Sequence, residues 1–382
     1  MIKFRILKNS KKSRARLGIL ETEHGVVRTP TFVPVATQAA IKTLTSEEVE
    51  KTKSQILITN TFHLHLRPGE NIVNSAGGLH KFMNWGRPLM TDSGGFQVFS
   101  FGFGKDLGVG KVLKYFPGIK NKILVKKDSK PRNVKITEDG VYFRSPWDGA
   151  RLFIGPKESI KIQEKLGANI IFAFDECTPP LSTFEYVASA VERTQKWAKL
   201  CIKYKTSNQA IYGIIQGSIF KELREGSAKF INNLEFDGFG IGGDLGRTKE
   251  EMRKILRWVI PSIDPRKPRH LLGIGHLEDI EKIIKEGIDT FDCIVPTHYG
   301  RRGIAFTSRG KLNVRQVKFL KDKNPLDKKC DCLVCQNYRR NYISHLLRAG
   351  EISALKMLTF HNLYFFNTVI EKIRNKIKAG KI

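Results

Sequence analysis

The chain has 382 residues, with 66 Lys and Arg against 37 Asp and Glu, so its formal net charge is +29. Its hydrophobic content of 41% is typical of a globular protein that buries a large core. The basic excess indicates a polyanionic partner, either nucleic acid or an anionic membrane surface, although a solvated basic surface would have the same composition. No apolar run approaches the ~20 residues of a membrane-spanning helix, which argues against a membrane-spanning protein.

The first twenty residues contain no acidic side chain. They lack the apolar segment of a secretion signal, and they share their composition with mitochondrial presequences. Residues 4–25 nevertheless have the pattern of two strands joined by a basic turn. We therefore expect two strands here, and a cytoplasmic protein.

Short apolar, β-branched segments recur along the chain and indicate eight strands. They are TFVPVA (31–36), QILITN (55–60), PLMTD (88–92), NIIFAFD (169–175), AIYGIIQG (210–217), FDGFGIGG (236–243), RHLLGIG (269–275) and DTFDCIV (289–295). Helical patterns lie between several of them: SEEVEKTKS with an expected serine N-cap, PKESIKIQEKLG and TKEEMRKILRWVI. Strands that alternate with helices predict a parallel sheet, and eight such units predict an α/β protein of the (β/α)₈ TIM-barrel class. An open, doubly wound sheet is the rival fold, disfavoured because no G-x-G-x-x-G follows an early strand.

Polar residues and glycines follow these strands, where a TIM barrel has its active site. The set is Asn60, Asp92, Asp175, Gln216, Gly242, Gly243, Gly273, Gly275 and Asp292. Each residue alone is as well explained by a cap, a tight turn or an ion pair. Together they predict one mouth that carries three carboxylates and an amide. Glu176, on the opposite side of its strand from Asp175, is expected to form an ion pair nearby.

One strand raises a question about its own chemistry. Alternation along residues 289–295 predicts that Thr290, Asp292 and Ile294 share one face and that Cys293 lies on the other. A buried carboxylate is costly without a partner or a role. Either the acid or the thiol could therefore be a reactive group.

Three of the six cysteines are crowded near the C-terminus, where Cys330, Cys332 and Cys335 form C-x-C-x₂-C. Three thiolates and one imidazole make a closed, tetrahedral, structural zinc site. His345 and His361 both follow at distances that allow either to be the fourth ligand. Free thiols are the alternative, but this density favours a metal site in a reducing compartment.

Several of these motifs occur together in one known family. TDSGGFQVFS, FDECTPP, GIIQGS, FDCIVPT and CDCLVC…TFHNLYF, with HGVVRTPTFVPVAT and NTFHLHLRPG upstream, make the chain resemble the tRNA-guanine transglycosylases nearly end to end. These are zinc-containing (β/α)₈ pentosyltransferases of queuosine tRNA modification. The resemblance implies exchange of guanine at the wobble position (34) of GUN-anticodon tRNAs for a 7-deazaguanine base, with preQ1 as the favoured candidate. It also implies a cytoplasmic homodimer with one structural zinc ion per chain.

The resemblance implies a role for each matching residue. Asp292 is the nucleophile that attacks C1′ of the ribose and forms a covalent glycosyl-enzyme, and Asp92 is the general acid/base; Cys293 is left to packing. Substrate-binding roles fall to Ser93, Gly94, Gly95, Phe96, Asp175, Cys177, Gln216 and Gly243. Anchoring of tRNA falls to Gly273, Ile274, Gly275, His276, Leu277, Glu278, Asp279, Thr297, His298, Tyr299, Gly300 and Arg301, with Arg302 beside them. The zinc ligands are Cys330, Cys332, Cys335 and His361.

The expected domains are a catalytic barrel (1–325) with a basic insertion (about 101–135) and a zinc-binding helical subdomain (326–382). The insertion carries nine Lys and one Arg against two Asp, a net charge of +8, and predicts either an added grip on tRNA or a solvated lobe.

The loop at 242–247 is one residue shorter than is usual in the family, and His298 stands where an arginine is usual. The chain could therefore use queuine, act at another site as archaeosine-type or DNA-modifying relatives do, or be a non-catalytic accessory subunit. Retention of both catalytic aspartates argues against the last.

Overall fold

Eight parallel strands close into a barrel in the computed structural model of the chain, which describes residues 2–99 and 134–382. The strands are β1 (Lys3–Asn9), β2 (Arg16–Thr22), β3 (Gly25–Thr29), β4 (Thr31–Ala36), β5 (Leu57–Thr59), β6 (Leu89–Thr91), β7 (Val134–Ile136), β8 (Val141–Arg144), β9 (Arg151–Ile154), β10 (Ile170–Phe172), β11 (Ala210–Ile215), β12 (Gly238–Ile241), β13 (Arg269–Leu271), β14 (Thr290–Cys293), β15 (Ile304–Thr307) and β16 (Gly310–Asn313). The barrel runs β4-β5-β6-β10-β11-β12-β13-β14 and closes where β14 pairs with β4. All eight predicted barrel strands, and the TIM-barrel class, are thus confirmed.

Helices connect the barrel strands and form the C-terminal part of the chain. They are α1 (Ser46–Lys51), α2 (Thr61–Leu66), α3 (Glu70–Ser75), α4 (Gly78–Phe82), α5 (Pro156–Leu166), α6 (Phe184–Tyr204), α7 (Lys221–Asn232), α8 (Lys249–Val259), α9 (Leu277–Lys285), α10 (Val295–Gly300), α11 (Leu333–Asn337), α12 (Arg340–Ala349) and α13 (Ile352–Lys378). Residues 95–99 are also helical. None of the described helices has the length and apolar character needed to cross a membrane.

The N-terminal antiparallel sheet β1-β2-β3 plugs one end of the barrel. Leu20 and Val27, from this sheet, belong to the same buried cluster as Ile56, Ile170 and Ala210, which lie at the beginnings of barrel strands. The amino-terminal end of the barrel is therefore filled, and the opposite rim is left for a site. The prediction of two strands joined by a basic turn in this segment is confirmed.

Two local expectations were wrong. The N-cap of α1 is Thr45 and not a serine: its hydroxyl accepts from the Glu48 amide, and the Glu48 carboxylate accepts from the Thr45 amide, which forms a capping box. The strand expected over residues 289–295 ends at Cys293, and a helix begins at Val295. Pro296 explains this early end, because proline lacks an N–H for the strand ladder and suits the first turn of a helix.

The C-terminal helix α13 packs against α10, β4 and the β15–β16 hairpin. Asn362, which is fully buried, donates to the carbonyl oxygens of Pro296 (3.0 Å) and Ile304 (2.9 Å) and accepts from the Phe306 amide (2.9 Å). One side chain of α13 therefore fixes the connection that follows β14. The division into domains at residue 325 stays a prediction. The basic insertion lies outside the described residues, apart from Val134 and Lys135, which begin β7.

Candidate active site

Asp92 follows β6 at the carboxyl rim of the barrel. Its Oδ1 accepts hydrogen bonds from the backbone amides of Thr61 (2.9 Å) and Gly94 (3.1 Å), and its Oδ2 accepts from Asn60 Nδ2 (2.5 Å). Asn60 is also the N-cap of α2, where its Oδ1 accepts from the His63 amide (2.9 Å). The ends of two neighbouring strands therefore hold this carboxylate as an acceptor, which favours its anionic form.

Asp175 lies beyond β10 and is only 7% exposed. Its Oδ1 accepts from Ser93 Oγ (3.0 Å), and its Oδ2 accepts from Gln216 Nε2 (2.6 Å). A Cβ atom on Gly95 would lie 2.7 Å from the Asp175 carbonyl oxygen. The expected residues of three strand ends therefore meet in one buried cluster, and glycine is needed for the closest approach.

Gln216 joins this cluster to the loop after β12. Its Oε1 is buried and has no hydrogen-bond partner within the described residues. Gly243 has φ +76°, and a Cβ atom there would lie 2.0 Å from that Oε1. Only glycine allows the backbone to pass so close to the amide, so Gln216 and Gly243 lie against each other beside Asp175.

A fully buried arginine holds the two backbone segments that carry Gln216 and Gly243. The Arg224 guanidinium donates to carbonyl oxygens of Ile215, Ser218, Gly242 and Asp244 at 2.6–3.0 Å. Asp244 lies in the loop at residues 242–247, and its carboxylate accepts from Ser218 Oγ (2.8 Å) and the Gly246 amide (3.0 Å). Burial raises the pKa of Asp244. The loop is therefore held in place by one of its own side chains.

Asp292 is the last inward-facing residue of β14. Its Oδ1 lies 2.8 Å from the Gly273 amide nitrogen and 3.2 Å from His270 Nε2. Gly273 has φ +73°, a conformation that favours glycine and that directs its N–H at the carboxylate. His270 did not figure in the sequence-based site. The available signal was a polar residue in the middle of an apolar barrel strand, opposite Thr290 in register.

Cys293 faces away from Asp292, into the layer between the barrel and its helices. It belongs to the main buried apolar cluster, and its Sγ donates to the Gly275 carbonyl oxygen (3.1 Å). Burial raises the pKa of this thiol well above its ordinary range. Because the thiolate is the nucleophilic form of cysteine, Cys293 is suited to packing and not to attack.

Glu176 turns away from the mouth and is fully buried. Its carboxylate accepts from Arg193 Nε (2.7 Å) and from the Tyr186 hydroxyl (2.8 Å). The ion pair expected for this residue is present. It fixes the chain on the far side of Asp175.

The residues implied for tRNA anchoring lie between β13 and the first turn of α9, and in α10 and directly after it, and their burial differs. Asp279 and Glu278 both pair with Lys249, at 2.9 and 3.2 Å. Tyr299 is nearly buried against Phe306, with ring centroids 5.3 Å apart. Ile274, Thr297 and Gly300 are buried as well, while His276, Leu277, His298 and Arg301 are partly exposed and Arg302 is exposed. Their role in binding tRNA stays a prediction.

Three cysteines and one histidine meet beside the β15–β16 hairpin. The ligand atoms of Cys330, Cys332, Cys335 and His361 all lie within 4.8 Å of one another. His361 Nδ1 lies 3.8, 3.4 and 3.3 Å from the three Sγ atoms in that order. Bond lengths of a tetrahedral zinc site place sulfur and nitrogen ligands about 3.6 Å apart, so these four residues fit such an ion.

The second nitrogen of His361 suits this residue to be the fourth ligand. Its Nε2 lies 2.8 Å from the Phe306 carbonyl oxygen, to which it must donate, so Nδ1 presents its lone pair to the thiols. Hydrogen bonds from Cys330 and Cys335 lower the pKa of Cys332 and stabilise a thiolate. His345, the other candidate, is exposed on α12.

Comparison with known proteins agrees with this geometry. A family model described as queuine tRNA-ribosyltransferase matches residues 10–382. The chain is 45% identical to the queuine tRNA-ribosyltransferase of Halothermothrix orenii, over 100% of this chain and 95% of the relative. It is 43% identical to that of Desulforamulus reducens (100% and 96%) and 42% identical to a putative queuine tRNA-ribosyltransferase of Archaeoglobus fulgidus (99% and 96%). The chain therefore belongs to the queuine tRNA-ribosyltransferase family, the tRNA-guanine transglycosylases.

Proposed function

We propose that this chain exchanges guanine at the wobble position of GUN-anticodon tRNAs for a 7-deazaguanine base, through a covalent aspartyl–ribosyl intermediate. The observation that carries the proposal is the Asp292 carboxylate. It stands at the carboxyl end of β14, held by a backbone amide and a buried imidazole. An anionic oxygen kept in one orientation is what attack on an anomeric carbon requires.

In the first step, Asp292 attacks C1′ of the ribose, the C1′–N9 bond breaks, and its electron pair leaves with guanine. Asp92 assists by giving a proton to the departing base, and it takes a proton from the incoming base in the second step. Its three hydrogen-bond donors stabilise the anion that the first transfer leaves, which is the form that accepts the proton in the second. Each proton transfer of this kind is worth about 10²–10⁴ in rate.

Base recognition falls to the cluster of Asp175, Gln216 and Gly243. A carboxylate accepts from both N1–H and the exocyclic amine of a guanine-like edge, and the amides of Gln216 and Gly243 serve the O6 carbonyl. Ser93, Gly94 and Gly95 shape the turn beneath the base, Phe96 covers its ring, and Cys177 lines the pocket. The burial of Asp175 and Gln216 supports this assignment, because buried polar groups are normally hydrogen-bonded.

The incoming base is preQ1 in this proposal, and queuine is the competing candidate. The loop that follows Gly243 is the part of the pocket that departs from the family, and Asp244 there is engaged with Ser218 and Gly246. The relatives' names refer to queuine. The two bases differ in the substituent at position 7, so the same experiment must compare them.

The metal of the Cys₃His cluster is zinc, bound once per chain in a structural role. Four protein ligands leave no open position for a substrate or a water molecule. When bound, the ion would supply folding free energy to the segment between β15 and α13 and no chemistry. The enzyme is expected to be cytoplasmic and homodimeric, and its basic surface to grip tRNA phosphates.

Mass spectrometry of anticodon nucleosides tests the proposal. Purified protein is incubated with a GUN-anticodon tRNA and with guanine, preQ1 or queuine in separate reactions. We expect the wobble nucleoside to change mass with preQ1, and the Asp292→Asn variant to leave it unchanged. No change with either 7-deaza base would contradict catalysis and favour an accessory subunit, and a change with queuine alone would reassign the base.

A further inference from the structure

His270 lies directly beneath the proposed nucleophile and is fully buried. Its Nε2 is 3.2 Å from Asp292 Oδ1, and its Nδ1 is 2.9 Å from Thr290 Oγ1. The ring packs beside Phe172, with centroids 5.3 Å apart. Both polar atoms of a histidine inside the barrel are therefore directed at residues of one neighbouring strand.

These contacts determine which nitrogen carries the proton. An ionised carboxylate only accepts hydrogen bonds, so Nε2 must carry a hydrogen and donate to Asp292. In a neutral ring Nδ1 is then an acceptor, and the Thr290 hydroxyl satisfies it by donating. Thr290 thus selects the tautomer, and His270 with the Gly273 amide places two donors on one carboxylate oxygen.

We propose that His270 is a positioning residue that stabilises Asp292 as the leaving carboxylate, so that resolution of the ribosyl-enzyme depends on it. This inference rests on the proposed function. In the second step N9 of the incoming base attacks C1′, the bond between Asp292 and C1′ breaks, and its electron pair returns to the carboxylate. The proton on N9 goes to Asp92, so that atoms and charge balance.

The donors from His270 and Gly273 stabilise the free carboxylate of Asp292 and its glycosyl ester unequally. A carboxylate is a stronger hydrogen-bond acceptor than the oxygen of an ester, because hydrogen bonds to a charged partner are the stronger ones. Loss of the His270 donor therefore destabilises the free carboxylate more than the glycosyl ester. The covalent adduct should accumulate, and its resolution should become the slow step.

The experiment compares His270→Leu, which removes the donor, with His270→Gln, which keeps an N–H donor on a side chain of similar reach. The readouts are kcat and KM for base exchange, and the fraction of chain trapped as a denaturation-resistant complex with tRNA in the absence of added base. For His270→Leu we expect kcat to fall about 10- to 100-fold, with KM for the base within about threefold of wild type. The trapped fraction should rise, and His270→Gln should restore most of both values.

Other outcomes decide against the inference. A His270→Leu protein with unchanged kcat and an unchanged trapped fraction overturns it. A lowered trapped fraction that His270→Gln does not restore overturns it too, since that result indicates a purely structural role. If His270→Leu does not fold, Thr290→Val takes its place, because it keeps the ring and removes the hydroxyl that selects its tautomer. An increased adduct fraction is expected there too, and its absence overturns the inference. An adduct that persists in Asp292→Asn instead contradicts the proposed function itself.

Discussion

Asp292 and Cys293 are neighbours in β14, yet their side chains lie on opposite sides of the barrel wall. The carboxylate faces the mouth, where Gly273 and His270 donate to it, and the thiol is buried against the loop at Gly275. Strand alternation produces this separation. It assigns polar surroundings to the acid and apolar surroundings to the thiol.

The two neighbours should therefore respond differently to substitution. Asp292→Asn should abolish base exchange and the denaturation-resistant tRNA complex, because an amide is a far weaker nucleophile than a carboxylate. Cys293→Ala should retain both, with a loss of about 1–2 kcal/mol in stability from the smaller buried side chain. Gel analysis of trapped complexes and a denaturation curve measure the two effects. A trapped complex in Asp292→Asn, or its loss in Cys293→Ala, would reverse the assignment.

Gly243 should control binding of the base. Gly243→Ala places a methyl group 2.0 Å from the original position of Gln216 Oε1, so the amide must move away from the pocket. We expect KM for the base to rise tenfold or more, equivalent to about 1.4 kcal/mol, with little change in tRNA affinity.

Gly149→Ala is the matched control for Gly243→Ala. Its φ of +74° is nearly the same, but no atom lies within 4 Å of the added methyl group. Backbone strain alone should therefore leave KM at the wild-type value. Equal KM values for the two variants would show that Gly243 does not shape the base pocket.

The Cys₃His cluster should hold about one zinc ion per chain. Because binding of a structural metal is coupled to folding, Cys332→Ala and His361→Ala should both lose zinc and lower the thermal midpoint. His345→Ala should do neither, since that side chain is exposed on α12. Metal analysis and thermal unfolding of the three variants check this, and full zinc content in His361→Ala would move the fourth ligand elsewhere.

The buried pair of Glu176 and Arg193 should matter for stability more than for chemistry. Glu176→Gln leaves Arg193 without its closest carboxylate. We expect the free energy of unfolding to fall by about 2–3 kcal/mol, which is less than for a fully buried pair because Arg193 is partly exposed to water. Glu138→Gln is the control: it removes the exposed carboxylate on the same arginine and should leave the denaturation midpoint unchanged. Equal midpoints for both variants would mean that burial of Glu176 adds nothing.

The sequence was sufficient for the strands and for the position of the acids at one rim of the barrel. Apolar β-branched runs that alternate with helical patterns have few packing solutions, and a barrel of eight of them aligns residues such as Asp92 and Asp292 at one rim. Spacing was likewise sufficient for three members of the Cys₃His cluster, because Cys330, Cys332 and Cys335 are too close in the chain to lie apart.

Contacts between residues distant in the chain needed the tertiary structure. His361 and His345 were equivalent by spacing, and only the packing of α13 on the β15–β16 hairpin brings His361 to the thiols and its Nε2 to Phe306. His270 was missed for the same reason: its importance comes from its register with Thr290 on the neighbouring strand. Local pattern determines which face a side chain takes within its own element, whereas its partner depends on how elements pack, and packing energy is a property of the whole fold.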